Sequence, residues 1–253
     1  MASIDKVYRT LKNLANKEQK GFITPAVFNR FAVIAQQNIY NELFEELVDA
    51  KRISRQNLDP GRDKSVRKRT LEDLSPFVAR EYNLPVATTT AINNIYFKPA
   101  NLSRIISISN GNPNTGGYNT NKTNIEIVYD VEKMDKILGS RLSGPTQQFP
   151  VALISDEIEV YPRSAVTKID LIYYRTPGGI TSTGSYTDSD PQWIALNTGS
   201  TQELEIYDPT STIDFMLPNH YVSELVYEMA KLIGISLNDA ALTQVAAQEE
   251  ARR

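Results

Sequence analysis

Cysteine is absent from the 253-residue chain, and histidine and tryptophan each occur once. Without cysteine the protein has no disulfide framework, no thiolate-bound zinc and no thiol catalysis, so packing or assembly must stabilise it. A histidine-ligated metal or a Ser-His-Asp arrangement would depend on His220 alone, for which we expect a capping or packing role at the start of a helix. We predict no metal and no cofactor.

Long apolar runs are also missing. No stretch reaches the about 18 consecutive apolar residues of a transmembrane helix, and the N-terminal MASIDKVYRTLKNL lacks the apolar segment of a signal peptide. We therefore expect a protein that is made in a cytoplasm and has no membrane partner. The glycine motifs of nucleotide-binding sites and GxSxG are absent as well, so we interpret the glycine-containing stretches 111–117 and 178–184 as loops.

The distribution of charge is uneven. The whole chain is 41% hydrophobic and 23% charged with a net charge of -3, which is typical of a soluble globular protein and gives no general attraction to nucleic acid. Residues 49–70 carry roughly +5, however, and the rest of the chain roughly -8. The candidate partner contacts in this stretch are Arg52, Arg55, Arg62, Lys64, Arg67, Lys68 and Arg69.

Asn57, Pro60 and Gly61 interrupt the basic stretch, so we interpret it as an exposed arm or loop between two helical pieces. Three alternatives stay open for it: a solvated basic turn, a contact with an acidic neighbouring subunit, or a nonspecific contact with phosphates. No aromatic residue lies within the run, which disfavours base stacking on a single strand.

Apolar residues at helical spacing predict helices at both ends of the chain. Residues 4–15 form an amphipathic helix, and Thr24-Pro25 predicts the start of a long helix of about 25 residues. Pro218 opens a C-terminal helix that ends at Gly234, and a last helix begins near Asn238. We expect the terminal helices to pack together on one side of a sheet.

Between the helices, from Pro85 onwards, short runs alternate apolar and polar residues with the period of β-strands. The predicted fold is a single α+β domain: N-terminal helices with the basic arm over 1–83, a mainly antiparallel β region with long loops over 84–217, and C-terminal helices over 218–253. The predicted strands cover 86–92, 95–98, 104–108, 125–131, 158–161, 169–173, 204–206 and 213–217, and a short helix covers 131–138.

The stretch from Ile158 to Pro177 is predicted to be a β-hairpin at the centre of this sheet. Its two runs alternate apolar and polar residues, and residues 162–164 between them, Pro-Arg-Ser, have the composition of a turn. Two strands are not stable alone, so the rest of the chain must pack on them.

Three carboxylates near this stretch are the candidates for catalysis. Glu157 and Glu159 would lie on one strand face about 7 Å apart, a spacing that resembles a glycosidase pair. Catalytic carboxylates normally converge from different elements, so we interpret these two as a solvated strand face. Asp170 is predicted to hydrogen-bond or pair with Lys168 or Arg163 across the hairpin.

Two polar loops, 110–124 and 176–201, are long enough to reach neighbouring molecules, and they contain Tyr118 and Trp193. We name both aromatic residues as candidate partner contacts. For Trp193 two alternatives stay open: an exposed interface anchor, or a side chain tucked against the sheet.

The order of parts resembles a known family. Thr24-Pro25 opens a helix with Phe and Gln, Tyr161-Pro162 and the sequence YYRTP at 173–177 follow, and Leu217-Pro218 ends a strand before the closing helices. This order is similar to that of the head-to-tail connector (ring or adaptor) proteins of short-tailed, crAss-like bacteriophages. The resemblance covers nearly the whole chain, although its motifs are structural and the long basic segment departs from the pattern.

The resemblance implies a structural virion protein without enzymatic activity, made in the host cytoplasm, that forms a ring of roughly twelve copies beneath the portal. Its implied partners are the portal, neighbouring tail or ring proteins, and DNA that passes through the lumen during ejection without sequence-specific binding. Two other functions stay open. One is carbohydrate or receptor binding by the two polar loops, with Tyr118 and Trp193 stacking on a sugar; the other is hydrolysis by Glu157, Glu159 or Asp170.

Overall fold

The computed structural model describes residues 1–17, 23–55, 68–111, 122–164, 166–196 and 206–236. The chain divides into two compact units. The helical unit comprises Met1–Pro76 and Pro177–Arg253, and the sheet unit comprises Phe77–Thr176. In sequence, therefore, the sheet unit is an insertion within the helical unit.

The described helices are α1 (Ile4–Lys17), α2 (Pro25–Arg55), α3 (68–73), α4 (Val131–Gly139) and α5 (Val222–Ser236). The described strands are β1 (Val78–Pro85), β2 (Thr88–Thr89), β3 (Asn94–Tyr96), β4 (Leu102–Asn110), β5 (Asn124–Val128), β6 (Val151–Ile154), β7 (Ile158–Tyr161), β8 (Lys168–Arg175), β9 (Gly179–Ile180), β10 (Tyr186–Thr187) and β11 (Asp214–Phe215). A 3-10 turn, Asn219–Tyr221, precedes α5. Within the described ranges, no helix has the length and apolarity needed to cross a membrane.

The helical unit is built from both ends of the chain. The predicted start of α2 is confirmed: the helix begins at Pro25, and the backbone N–H of Val27 donates to the Thr24 hydroxyl at 3.3 Å, which caps the first turn. Both α1 and α2 pack against α5, so the prediction that helices from the two ends pack together is also confirmed.

A small three-stranded sheet, in the order β10-β9-β11, belongs to the same unit. The buried amide of Gln36 connects α2 to it: Nε2 donates to the carbonyl of Gly178 at 2.7 Å, and Oε1 accepts from the N–H of Met216 at 2.8 Å. Gly178 and Met216 directly flank β9 and β11, so one side chain joins the helix to two of the three strands.

The sheet unit contains eight strands in the order β1-β8-β4-β5-β6-β7-β3-β2. Six of the seven neighbouring pairs are antiparallel, and β5 and β6 are parallel. The first and last strands of the unit, β1 and β8, are paired with Val78 opposite Tyr174. The α+β class and the mainly antiparallel sheet agree with the sequence prediction.

The helix α4 connects the two parallel strands, because a parallel pair needs a crossover rather than a tight turn. Asp130 caps this helix by accepting from the N–H of Glu132, and Met134 on its buried face belongs to a separate apolar cluster with Val128 and Leu153. The predicted helix over 131–138 is thus confirmed.

The predicted hairpin from Ile158 to Pro177 is wrong, although both of its strands exist. β7 pairs with β6 and β3, and β8 pairs with β1 and β4, so the two strands are not neighbours. The connection between them is held by β3 instead: the side-chain amide of Asn94 donates to the carbonyls of Arg163 and Val166 at 2.9 and 2.7 Å. Alternation specifies which face of a strand is buried and does not specify its partner.

The strand β1 has no counterpart among the sequence predictions. It begins at Val78, in the part of the chain for which the sequence predicts helices and a basic arm. Its side chains do not alternate cleanly between buried and exposed, because its register on β8 shifts between Glu81 and Leu84. Asn83 within that shift has φ 58°, a left-handed conformation that asparagine tolerates better than most residues.

Candidate functional site

Helices α2, α3 and α5 of the helical unit enclose a groove of about 1180 Å³. Residues 38–46 of α2, 69–73 of α3 and 220–231 in and just before α5 contribute its lining, and we call it the acidic groove. α2 and α5 bury apolar residues such as Phe44 and Met229, so the polar residues of both helices lie along the groove.

The charge of the groove is strongly negative. Arg69 and Lys231 are the fixed cations among its lining residues, which gives it a net charge of roughly -4 when His220 is neutral. Carboxylates that share a half-enclosed space repel one another more than they would in open water, so such a groove favours cationic ligands. The carboxylates that line it are Glu42, Glu45, Glu46, Asp73, Glu224 and Glu228.

Asp73 is the most enclosed of these carboxylates and ties α3 to the start of α5. Its Oδ2 accepts from the Tyr221 hydroxyl at 3.0 Å, and its Oδ1 lies 3.1 Å from His220 Nε2. Burial first, and then the hydrogen bond to Asp73, raise the pKa of the Tyr221 phenol. His220, half-exposed at the helix start, therefore makes a polar contact that connects the start of α5 to α3.

Two further contacts hold the walls of the groove in place. The Thr70 hydroxyl lies 3.4 Å from Glu46 Oε2 and connects α3 to α2. The Asn38 side-chain amide donates to Glu228 Oε1 at 2.7 Å and connects α2 to α5. Polar contacts thus join all three helices and hold the walls of the groove in fixed positions within the helical unit.

Metal binding does not account for the negative charge of the groove. In the part of the chain that the structure describes, no group of three or more His, Asp or Glu residues is arranged to hold a metal ion. The six carboxylates follow the helices instead of converging on one point, which suits an elongated cationic ligand better than a metal ion.

The predicted interface cations fall partly inside the described residues. Lys68 and Arg69 lie on α3 with mostly exposed side chains, and their charged ends are 3.7 Å from Glu72 and 3.9 Å from Asp73. Arg69 also lines the acidic groove. The backbones of Arg52 and Arg55 belong to α2, whereas their side chains and the residues Arg62, Lys64, Arg67 and Tyr118 lie outside the described residues.

The structure excludes the exposed-anchor alternative for Trp193, because its side chain is 3% exposed, and the contacts that bury it come from helices of the helical unit. It stacks on Tyr8 of α1 with ring centroids 4.5 Å apart, and its indole N–H donates to Asp5 at 3.1 Å. The side-chain amide and carbonyl of Asn29, on α2, bind the backbone of Trp193 at 3.1 and 2.9 Å. Trp193 thus joins a loop to two helices of the helical unit and is not an exposed anchor, which also removes it as a sugar-stacking residue.

The two glutamates of the candidate carboxylate pair do not both lie on strand β7. Glu157 precedes β7, which begins at Ile158. Glu159 accepts hydrogen bonds at 2.8 Å from both the Asn93 amide and the Tyr161 hydroxyl. Burial, followed by the interaction with Glu159, raises the pKa of Tyr161 to about 12. Glu159 is therefore engaged by its neighbours on the sheet.

Asp170 is also engaged, though not by the predicted partners. It is 2% exposed; the N–H of Asn83 donates to Oδ1 at 2.9 Å, and Lys122 Nζ lies 3.0 Å from Oδ2. The predicted pairing with Lys168 or Arg163 is wrong, since it depended on the hairpin that does not form. A buried carboxylate that bridges a neighbouring strand and a lysine has a structural role.

Comparison of the sequence with models of known protein families finds no match, and comparison with individual curated proteins finds no significant match either.

The sequence prediction did not identify the acidic groove. The sequence nevertheless contained a signal. Acidic residues recur at helical spacing on both α2 and α5, and they lie next to the apolar residues through which the two helices pack. Comparing the polar faces of helices that are predicted to pack would have indicated a shared acidic surface.

Proposed function

We propose that this protein is a structural subunit of a ring in the head-to-tail connector of a short-tailed bacteriophage, where it lies beneath the portal and extends the channel for DNA. The observation that carries this proposal is the construction of the helical unit from both chain ends, with the sheet inserted between them. The resemblance of the chain to connector proteins depends on this order of parts.

The distribution of charge supports the same proposal. A ring is built from heterologous contacts, in which one face of a subunit binds a different face of the next copy. This chain carries both a cationic segment and an anionic groove, so identical copies possess complementary surfaces. Charge complementarity of this kind steers association and selects partners.

The hydrogen bonds and ion pairs made by the candidate catalytic residues favour a structural function over hydrolysis. Asp170 is paired with Lys122, Glu159 with Asn93 and Tyr161, and His220 with Asp73. Each of these contacts fixes one element of a unit to another. The proposal accordingly includes no enzymatic activity and no cofactor.

The partners in this proposal are other copies of the chain, roughly twelve in a closed ring, together with the portal and a neighbouring tail or ring protein. DNA would pass through the lumen without sequence-specific binding. The protein would be made in the host cytoplasm and would end in the virion as a ring or adaptor between portal and tail.

Cryo-electron microscopy of purified virions tests the proposal directly. We expect density for this chain as a closed ring on the tail side of the portal, and particles from a strain that lacks the protein should retain DNA-filled heads but lose their tails. Virions that contain no copies of the chain, although infected cells express it, would contradict the proposal. Light scattering of the purified protein adds a second readout, since a monomer with measurable glycan binding would favour the carbohydrate-binding alternative.

A further inference from the structure

We propose that the acidic groove binds the basic segment, residues 51–67, of a second copy of this chain. The inference rests on the self-association that the proposed function requires and specifies which surfaces make the contact. One surface is a groove built from α2, α3 and α5, and the other is a segment of the same sequence with the opposite charge.

The net charges of the two surfaces match in magnitude. The groove carries roughly -4, and the basic segment, with six cations and the carboxylates of Asp59 and Asp63, carries roughly +4. The remainder of the chain offers no comparable basic segment, since outside residues 49–70 its charge is roughly -8. The most cationic part of the chain and its acidic groove are therefore the natural pair.

The dimensions also match. Residues 38–46 of α2 extend along the groove for about 12 Å, and residues 220–231 on the opposite side extend for about 16 Å. An extended polypeptide advances about 3.3 Å per residue, so the groove accommodates about four to six residues. The span from Arg62 to Arg67 contains Lys64 as well and brings three cations into that length.

The lining suits arginine in particular. A guanidinium group binds a carboxylate through two parallel hydrogen bonds and stacks on aromatic rings. The groove offers Glu42 and Glu45 on the exposed side of α2, and the half-buried ring of Tyr227 on α5. Asp73 and Glu228 are more enclosed than Glu42 and Glu45, so the contact would depend mainly on the latter two.

We assign the contact to two copies because the proposed ring requires each copy to bind its neighbour, and groove and segment together supply a heterologous interface of that kind. Each copy offers one groove and one segment, so the contact can repeat from subunit to subunit and close into a ring. If the segment bound the groove of its own chain, neither the groove nor the segment would remain for a neighbouring copy. Mixing the two variant forms tests whether the contact joins separate copies.

Two charge-reversed forms of the full chain provide the test. The segment-reversed form carries Arg62→Glu, Lys64→Glu and Arg67→Glu, and the groove-reversed form carries Glu42→Lys and Glu45→Lys. A control form carries Glu132→Lys and Asp156→Lys, which are exposed carboxylates of the sheet unit and change the net charge by the same amount. Circular dichroism and thermal unfolding establish that each form is folded.

The first measurement uses a labelled peptide of residues 51–67 with the segment-reversed form as receptor, because its own segment cannot occupy the groove. We expect saturable binding that weakens as salt is raised, since surface charges are screened within about 10 Å at 0.1 M ionic strength. Adding the groove reversals to this receptor should weaken the Kd about tenfold or more, and adding the control pair should change it by less than about twofold. No saturable binding, or equal binding by both receptors, would overturn the proposal.

The second measurement mixes the groove-reversed and segment-reversed forms in an analytical ultracentrifuge. In a contact between copies, the intact segment of the groove-reversed form, at roughly +4, binds the intact groove of the segment-reversed form, at roughly -4, so a 1:1 complex should form from species that do not self-associate. Peptide binding without any such complex would show that the segment of a folded copy does not reach the groove of another copy, and would overturn the contact between copies.

These outcomes are distinguishable from failure of the proposed function. A virion ring whose subunits assemble equally well with the groove reversed would retain the connector function and reject the groove contact. If the two reversed forms bound each other in solution but the protein were absent from virions, the groove contact would be retained and the connector function rejected.

Discussion

The side-chain carbonyl of Gln36 accepts a hydrogen bond of 2.8 Å from the backbone N–H of Met216, 180 positions further along the chain. The amide nitrogen of the same side chain donates to the carbonyl of Gly178 at 2.7 Å. A buried glutamine has few ways to satisfy both ends of its amide, and here both partners are backbone groups. Gln36 is thus a specific connection between α2 and the small sheet of the helical unit.

Replacing Gln36 by methionine should destabilise the protein by about 2–4 kcal/mol. Methionine keeps most of the volume but leaves one buried N–H and one buried carbonyl unpaired, each of which costs about 1–3 kcal/mol. Urea unfolding measures the change in the free energy of unfolding. Gln37→Met, at the exposed next position of α2, is the matched control and should change stability by less than about 0.5 kcal/mol; equal effects of the two substitutions would contradict this role for Gln36.

The single tryptophan reports directly on the helical unit. Because Trp193 is buried against Tyr8, its fluorescence should be blue-shifted from that of free tryptophan and poorly quenched by iodide, and unfolding should reverse both properties. Trp193→Ala should cost about 3–5 kcal/mol through the cavity it creates. Phe149→Ala, at a residue that is 75% exposed, should be nearly neutral. A red-shifted, freely quenched emission from the folded protein would contradict the burial of this side chain.

The buried ion pair of the sheet unit is expected to behave as a coupled pair. Lys122→Met leaves the carboxylate of Asp170 without its cation and should cost about 3 kcal/mol. Adding Asp170→Asn removes the buried charge, and the double variant should recover a large part of that loss. A double-mutant cycle in urea measures the coupling, and additive effects of the two substitutions would show that the pair does not interact.

Tyr161 predicts how the sheet unit responds to alkaline pH. Its folded-state pKa, raised to about 12 by burial and by Glu159, lies above the value of about 10 in the unfolded chain. The stabilising contribution is therefore complete below about pH 10 and is lost as the pH rises through about 12. Tyr161→Phe should flatten the fall in stability over this range, as measured by urea unfolding at a series of pH values.

Glu159→Gln tests the cause of that pKa shift. Glutamine can still accept the phenolic hydrogen bond but removes the negative charge, so the pKa of Tyr161 should fall while remaining above that of a free tyrosine because burial is the larger cause. An ultraviolet titration of the phenolate, compared with the Tyr161→Phe variant, isolates this group. The pKa staying at about 12 would show that Glu159 makes no contribution.

The helices were predictable because their signals are local. Thr24-Pro25 marks the start of α2 through a capping hydroxyl and a proline that fits the first helical turn, and Asp130 similarly precedes α4. Apolar spacing identified the faces of α1 and α5 that pack together. These features lie within a few residues of one another in sequence, so one chain suffices to recognise them.

The pairing of strands was not predictable, for a physical reason. Periodicity identified β7 and β8 correctly, but the partners of β8 are β1 and β4, which end at Pro85 and Asn110, far earlier in the chain. Such contacts depend on the fit of whole strands and not on any local pattern. The hairpin prediction failed because it assumed that consecutive strands are neighbours, which holds in many proteins but not between β7 and β8.

For a similar reason, the sequence predicted the basic segment but not the acidic groove. The cationic residues between Lys51 and Arg69 lie close enough together in the sequence to be recognised as a cluster. The carboxylates of the acidic groove come from three helices and two distant parts of the chain, and only the packing of α2 against α5 brings them together. Burial likewise decided the role of Trp193, which the sequence left open.

The pairing of β1 with β8 has a consequence for how this protein can change. Because Val78 lies opposite Tyr174, the backbone reaches the sheet unit and departs from it at adjacent points, about 5 Å apart. A segment whose two ends lie that close behaves as a cassette: it can be lengthened, trimmed or exchanged for another domain while the polypeptide on either side needs only a short bridge. Selection could therefore remodel the sheet unit without redesigning the helices that surround its insertion point in sequence.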